Sequence, residues 1–198
     1  MDIESRLAHI VEERNLLQHP FYQAWSAGTL PVTALQTYAR EYGAFIGKLP
    51  EGWQTLGDAE TAREEREHAE LWDGFAAALE TRVGEAWLPA VRGLIDTTRA
   101  LFAEPASAVG ALYAFEAQQP ATAKSKLAGL KAFYRLPASV EPYFEVHSRN
   151  EHEARKLLGL VRALPASQQE RAAQACRAMT QALWDALSGI YDEACAKN

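Results

Sequence analysis

Ionisable residues stand on helical faces whose neighbours are apolar. Glu64, Glu65 and His68 lead into Leu71, Trp72 and Phe75. Glu116 follows Val109, Leu112 and Tyr113 at helical spacing, and His147 and Glu151 follow Val140 and Phe144 and precede Leu158 and Val161. Positions three, four or seven apart share a helix face. A carboxylate or imidazole aimed into a helical core is costly unless it is paired or holds a metal. Three segments accept that cost, which points to chemistry in the middle of a bundle. Carboxylate oxygens and imidazole nitrogens suit iron or manganese with open positions for oxygen chemistry. The step from Glu65 to His68 has the Glu-x-x-His spacing by which helix bundles build such centres.

The three segments differ in how strongly they argue. Glu60 to Glu70 is rich in charge and reads mostly as a solvated face, with Glu64 a candidate for its edge. Ser148 to Arg155 is also highly charged, so Glu151 has a surface alternative in Arg155. Glu116 has no such alternative, because it is the one charge between Ala108 and Gln119. Nucleophilic schemes find little support. Cys176 and Cys195 form no Cys-x-x-Cys site, and no Gly-x-Ser-x-Gly elbow or phosphate-cradling glycine loop is present.

The elements that must position these residues read as helices almost throughout. Ala, Leu, Glu, Gln and Arg dominate, and Pro and Gly fall between periodic segments. A first helix is expected over Asp2 to Leu17, stopped by His19-Pro20. A short turn over Phe21 to Trp25 follows. A long helix from Val32 carries Leu35, Tyr38, Tyr42, Phe45 and Leu49, with a kink at Pro50. Asp58 reads as the N-cap of Ala59 to Leu79. Further helices are expected over Glu85 to Phe102, Ala108 to Gln119 and Ala121 to Tyr134. One helix opened by Pro137 carries His147 as far as Leu164. Ser167-Gln168-Gln169-Glu170 reads as a capping box for the last. The fold class is therefore all-α, a single compact bundle of seven or eight helices in one domain over residues 1–198.

The 198 residues suffice for a substantial core; 48% are hydrophobic, 23% are charged and the net charge is -6. No cluster of Lys and Arg offsets phosphate repulsion, which disfavours a nucleic-acid partner. No apolar run approaches the roughly 20 residues that span a bilayer. Met1-Asp2-Ile3-Glu4 lacks a secretory signal, so a cytoplasmic location is expected.

The stretch His19-Pro20-Phe21-Tyr22-Gln23-Ala24-Trp25, then Gly28-Thr29-Leu30 and Leu35-Gln36-Thr37-Tyr38-Ala39, resembles the opening of the heme-oxygenase-like proteins. That superfamily includes the TenA thiaminases, the PqqC quinone-cofactor synthases and the heme-oxygenase-like di-iron oxidases. Three further blocks carry the resemblance toward the CADD-type para-aminobenzoate synthases. They are His68-Ala69-Glu70-Leu71-Trp72 with Phe75, then Tyr113 to Pro120 with Lys126 and Gly129-Leu130, and finally Tyr143 to His147.

The resemblance implies metal ligands at His68, Glu116 and His147, with Glu151 at a position where Asp is expected. Thr61 stands where the first Glu of such a site is expected, leaving Glu64 or Glu65 to supply it from one turn away. Ala154 stands where a last His is expected. His152 and Glu153 reach that place only if the helix register shifts. The resemblance further implies that Tyr22 is the consumed tyrosine and Lys126 the amino donor. In the oxidase reading an aromatic wall of Tyr22, Tyr38, Tyr42 and Trp72 holds an organic substrate or relays a radical.

The function that follows is an oxidase using one or two iron or manganese ions, acting with dioxygen on a small organic or amino-acid-derived substrate. The alternatives are a cofactor-less oxidase of the PqqC kind, with His68 and His147 as acid and base, and a non-catalytic ligand-binding member of the fold. A homodimer is the family expectation.

Overall fold

A computed structural model of the chain describes residues 2–196, and every regular element among them is helical. The helices are α1 (Ile3–Glu12), α2 (Pro20–Ser26), α3 (Val32–Ile46), α4 (Leu49–Thr55), α5 (Ala59–Ala78), α6 (Pro89–Leu101), α7 (Pro105–Glu116), α8 (Gln119–Phe133), α9 (Pro142–His147), α10 (His152–Ala163) and α11 (Ala166–Ala196). Two single 3-10 turns, Leu16–Gln18 and Ala138–Val140, precede α2 and α9. None of these helices is long and apolar enough to cross a membrane.

Local chemistry explains most of the boundaries. The side chain of Asp2 accepts the Ser5 N–H at 2.8 Å, and that of Asp58 accepts the Thr61 N–H at 3.1 Å, so each opens its helix as an N-cap. Proline occupies the first turn of α2, α4, α6, α7, α8 and α9, where its missing N–H has no helical partner to lose.

The segments outnumber the expected seven or eight because two long helices are divided and one expected turn is itself a helix. The chain breaks at Gly47-Lys48 where only a kink at Pro50 was expected, and again between His147 and His152. Phe21 to Trp25 is helical rather than a turn, because His19 Nδ1 accepts the Phe21 N–H at 3.1 Å and Pro20 fits the first turn. The helix expected from Glu85 starts at Pro89. The capping box at Ser167 lies inside α11, which begins at Ala166, and Glu170 pairs with Arg6 instead.

α11, 31 residues long, packs against α6 and α7 and also touches α1, α2 and α3. α7 is the central element, with every residue from Ala106 to Glu116 buried. Its approach to α11 demands glycine: a Cβ at Gly110 would lie 1.9 Å from the carbonyl oxygen of Ala172. α5 packs on α3, α4 and α9, while α10 packs on α7. One continuous core of buried side chains fills the space between, rich in aromatics that include Trp25, Trp72, Tyr38, Tyr42, Tyr143 and Phe144.

Candidate functional site

Two buried polar centres lie in this core. The first is made by α5, α7, α9 and α10. Glu65, His68 and His147 each offer a ligand atom within 4.8 Å of the others, and so do Glu65, Glu116 and Glu153. Glu65 belongs to both triads. The sequence-predicted residues Glu65, His68, Glu116 and His147 thus converge. Glu64 stands at the rim, half-buried, one position around the helix from Glu65.

Glu151 does not join them. Its side chain is 72% exposed, it occupies the N-cap position of α10, and it lies 3.9 Å from Arg155. The reason is the break after His147. With α9 ended, α10 restarts at His152 in a new register and turns Glu153 inward, 1% exposed. Counting back by fours from the buried Val161 and Leu157 reaches Glu153, a stripe the sequence contained but which a continuous helix from His147 concealed. Thr61 is turned away into the cap of α5, where its hydroxyl donates to Asp58 at 2.9 Å and accepts from Lys156 at 3.0 Å. Ala154 lines a cleft of about 410 Å3 that reaches Glu116 from the surface.

The electrostatics of this centre are unusual for a protein interior. Glu116 is 2% exposed. Burial, and then the neighbouring Glu153 and Glu65, hold its pKa well above the ordinary carboxylate value. Burial likewise raises Glu65, against the pull of His68 at 2.7 Å. Burial opposes the imidazolium of His68, but Glu65, with Glu153 and Glu64 behind it, outweighs burial and raises its pKa. His147 goes the other way, pushed down to about 3 by burial and by the charge of His68. Its Nδ1 faces the Tyr143 carbonyl oxygen at 2.8 Å, so Nδ1 carries the hydrogen and Nε2 keeps its lone pair.

Five atoms here are buried without a hydrogen-bond partner among the described residues: Glu65 Oε2, Glu116 Oε1, His147 Nε2 and both carboxylate oxygens of Glu153. Unsatisfied buried polar atoms are rare and expensive. A cation between them would satisfy all five. Three carboxylates and two imidazoles form a donor set that suits iron or manganese. A histidine held neutral down to about pH 3 is also a poor proton acceptor near neutrality, which disfavours the acid–base reading of His68 and His147.

The second centre holds an amine. Lys126 on α8 is 3% exposed, and its Nζ donates to Tyr38 Oη at 3.1 Å and to Tyr22 Oη at 3.4 Å. The two phenols are 3.0 Å apart. Nζ lies 4.8 Å from the ring centre of Tyr22 and 5.2 Å from that of Phe144. No carboxylate makes a salt bridge to it among the described residues, and burial alone lowers its pKa to about 7. Burial raises the phenols of Tyr22 and Tyr38 above their ordinary value.

Aromatic rings connect the two centres. Centroid distances run 4.1 Å from His147 to Tyr143, 4.7 Å from Tyr143 to Trp72, 5.4 Å from Trp72 to Tyr38 and 6.2 Å from Tyr38 to Tyr22. Tyr42 stacks on Tyr38 at 5.0 Å, and its hydroxyl is buried without a partner. Trp72 is fixed by donating Nε1–H to the Ala39 carbonyl at 2.8 Å, against Gly43, where a Cβ would come within 2.6 Å of that nitrogen. Tyr143, fixed by Gln119 at 2.8 Å, is the link that spacing alone did not single out.

Residues 39–185 match the model of a protein family described as iron-containing redox enzymes. A 4-aminobenzoate synthase of Nitrosomonas europaea is 33% identical over an alignment covering 94% of this chain and 90% of that one. A 4-aminobenzoate synthase of Chlamydia pneumoniae is 28% identical, covering 92% of each. Among solved structures, the TenA homologue of P. horikoshii superposes with a TM-score of 0.76 at 15% identity over the whole of both chains. A CADD-like protein of unknown function from Nostoc punctiforme superposes with a TM-score of 0.66 at 18% identity over 97% of each. At those identities the structural matches establish the helical fold alone.

Proposed function

This chain belongs to the iron-containing redox enzyme family, and from that premise we propose that it is an oxidase making 4-aminobenzoate from its own Tyr22 and Lys126. The observation that carries the reading is the placement of Lys126 Nζ at 3.4 Å from Tyr22 Oη, with both side chains buried in the core. In 4-aminobenzoate the nitrogen is para to the carboxyl carbon. In tyrosine the phenol oxygen is para to the carbon that joins the ring to the backbone. An amine held at the phenol oxygen is therefore at the ring position where the product needs nitrogen. The phenol oxygen would leave as water, and the Lys126 Cε–Nζ bond would break with oxidation of Cε to an aldehyde. The Tyr22 Cα–Cβ bond would break with oxidation of Cβ to the carboxyl carbon, dioxygen being the oxidant.

Glu65, His68, Glu116, His147 and Glu153 would hold two iron or manganese ions, with Glu65 shared between the two triads. Bound there, the metal supplies dioxygen activation and oxidising equivalents. The remaining work falls to the chain. Tyr143 orients His147 by accepting its Nδ1–H. The rings from His147 through Tyr143, Trp72 and Tyr38 give an electron a contiguous path out of Tyr22. The pocket keeps a large fraction of Lys126 unprotonated at neutral pH, so its lone pair is available to the oxidised ring. Buried aromatics exclude water, which would compete with the amine.

The test is isotopic. Protein carrying ring-13C tyrosine and 15N-ε lysine is loaded with iron, manganese or both, then exposed to a reductant and air, and the small-molecule fraction is analysed by mass spectrometry. Doubly labelled 4-aminobenzoate is expected, with a matching mass loss on the chain. Tyr22→Phe should give none. Labelled product from Tyr22→Phe, or nitrogen label missing from the wild-type product, would overturn the assignment of these two side chains.

A further inference from the structure

A third group of ligand atoms lies outside the centre just described. Glu64 on α5 and His152 and Glu153 on α10 each offer one atom within 4.8 Å of the others. Two adjacent pairs create this arrangement. On α5, Glu64 faces the rim and Glu65 the interior; on α10, His152 is exposed and Glu153 is buried. Successive helical residues diverge by about 100°, so each pair presents one ligand outward and one inward. Glu153 belongs to both sets, with Glu64 and His152 outside and with Glu65 and Glu116 inside. Both of its oxygens are buried without a geometric hydrogen bond, and its carboxylate neighbours Glu116 on the inner side. A surface cleft of about 370 Å3, lined by Glu64, Glu67, His68, Asn150, His152 and Arg149, opens on the two outer members of this group, Glu64 and His152.

We infer that Glu64, His152 and Glu153 form a loading site, which takes a divalent first-row metal ion from solvent and passes it inward on the shared Glu153. The inference rests on the metal centre proposed above. A mixed carboxylate and imidazole set at a cleft mouth binds such an ion weakly and reversibly, because His152 and Glu64 remain open to water. The Arg149 guanidinium in the same cleft opposes the approach of a cation and limits how tightly the ion is held.

Uptake of Co(II) by metal-free protein tests this directly, with the visible absorbance of the bound ion followed in a stopped-flow instrument and metal content measured after desalting. His152→Ala removes an exposed side chain and leaves the core intact. It should slow uptake at micromolar Co(II) about tenfold, the scale on which a charged cleft raises local ion concentration, and leave the final metal content at the wild-type value. Glu64→Gln should act in the same direction, and Arg149→Ala should speed uptake. Wild-type uptake rates in both His152→Ala and Glu64→Gln would overturn the loading site. So would a lowered final content in His152→Ala, which would make the histidine a resident ligand. Wild-type protein that retains no Co(II) would instead overturn the metal centre itself, and the loading site with it.

Discussion

The acidic centre and the amine pocket both bury ionisable groups, yet the groups are kept in opposite ways. At the first, three carboxylates and two imidazoles crowd together, and several of their atoms find no partner in the protein. At the second, one amine sits among phenol hydroxyls and aromatic faces, hydrogen-bonded to two phenols and with no salt bridge among the described residues. The first is a set of donors that a cation would satisfy. The second is an amine whose burial disfavours the cation. Tyr143, Trp72 and Tyr38 lie between the groups, and across these rings the Lys126 charge still opposes an imidazolium at His147.

The contrast is broken most severely at Glu116. Glu116→Gln keeps shape and hydrogen-bonding capacity while removing the carboxylate. Metal retained after desalting should fall by more than about tenfold, since even outer partners of metal ligands are worth 10–100-fold. The metal-free variant should at the same time melt higher than metal-free wild type, because one of three mutually repelling buried acids is gone. A lower melting point with unchanged metal content would make Glu116 a structural residue. The second centre responds in the opposite sense. Lys126→Met should abolish product and leave metal content unchanged.

Its stability effect has a defined sign. The lysine pKa falls from 10.5 to about 7 on folding. The folded chain therefore resists protonation at this site, and the resulting loss of stability is complete at and below pH 7 and vanishes as pH rises to 10.5. Lys126→Met should thus stabilise the protein by on the order of 3 kcal/mol at pH 6 to 7, and by little near pH 10.5. Denaturant titrations at the two pH values check it.

Much of this architecture was legible in the sequence, and the failures have physical causes. Glu116 stood out because a lone charge in an apolar helix has no surface to reach, and His68 and His147 followed from the same face argument. Glu151 misled because helical periodicity was extended through Ser148-Arg149-Asn150, where the chain leaves the helix and restarts. A break of a few residues rotates everything after it, so Glu153 inherits the interior position and Glu151 is left to solvent. Ala154, which looked like a missing ligand, lies beside that change of register. Lys126 and Tyr22 were reached by resemblance and not by spacing. Nothing local tells a lysine among Lys124 and Lys131 that it points inward; only its fit between α2, α3 and α9 does so.

Metal and pH sharpen the comparison at smaller amplitude. The metal-free carboxylates of Glu65 and Glu116 have raised pKa values, so their contribution to stability is present below pH 4.5 and is lost as pH rises through those raised values. A bound cation reverses the sign, because it binds the ionised carboxylates and competes with their protons. The rise in melting temperature on adding Mn(II) should therefore be larger at pH 8 than at pH 5. Equal rises at both would show that metal does not meet these carboxylates.

The smallest expected effect lies between the centres. Tyr143→Phe removes one hydroxyl and its 2.8 Å bond from Gln119 but keeps the ring between His147 and Trp72. The backbone carbonyl that fixes His147 is unchanged, so metal content should stay at the wild-type value. So should the stabilisation by Lys126→Met, because the amine's hydrogen bonds go to Tyr22 and Tyr38. A phenylalanine ring is harder to oxidise than a phenol. If the electron leaves Tyr22 by way of this ring, product should form more slowly in single-turnover mixtures while the final amount per chain is unchanged. An unaltered rate would remove Tyr143 from the path and leave Trp72 to reach the metal centre by another contact. A reduced final amount with normal metal content would instead mean that the Tyr143 hydroxyl holds the pocket in shape, and the two centres would then be coupled by packing and not by electron transfer.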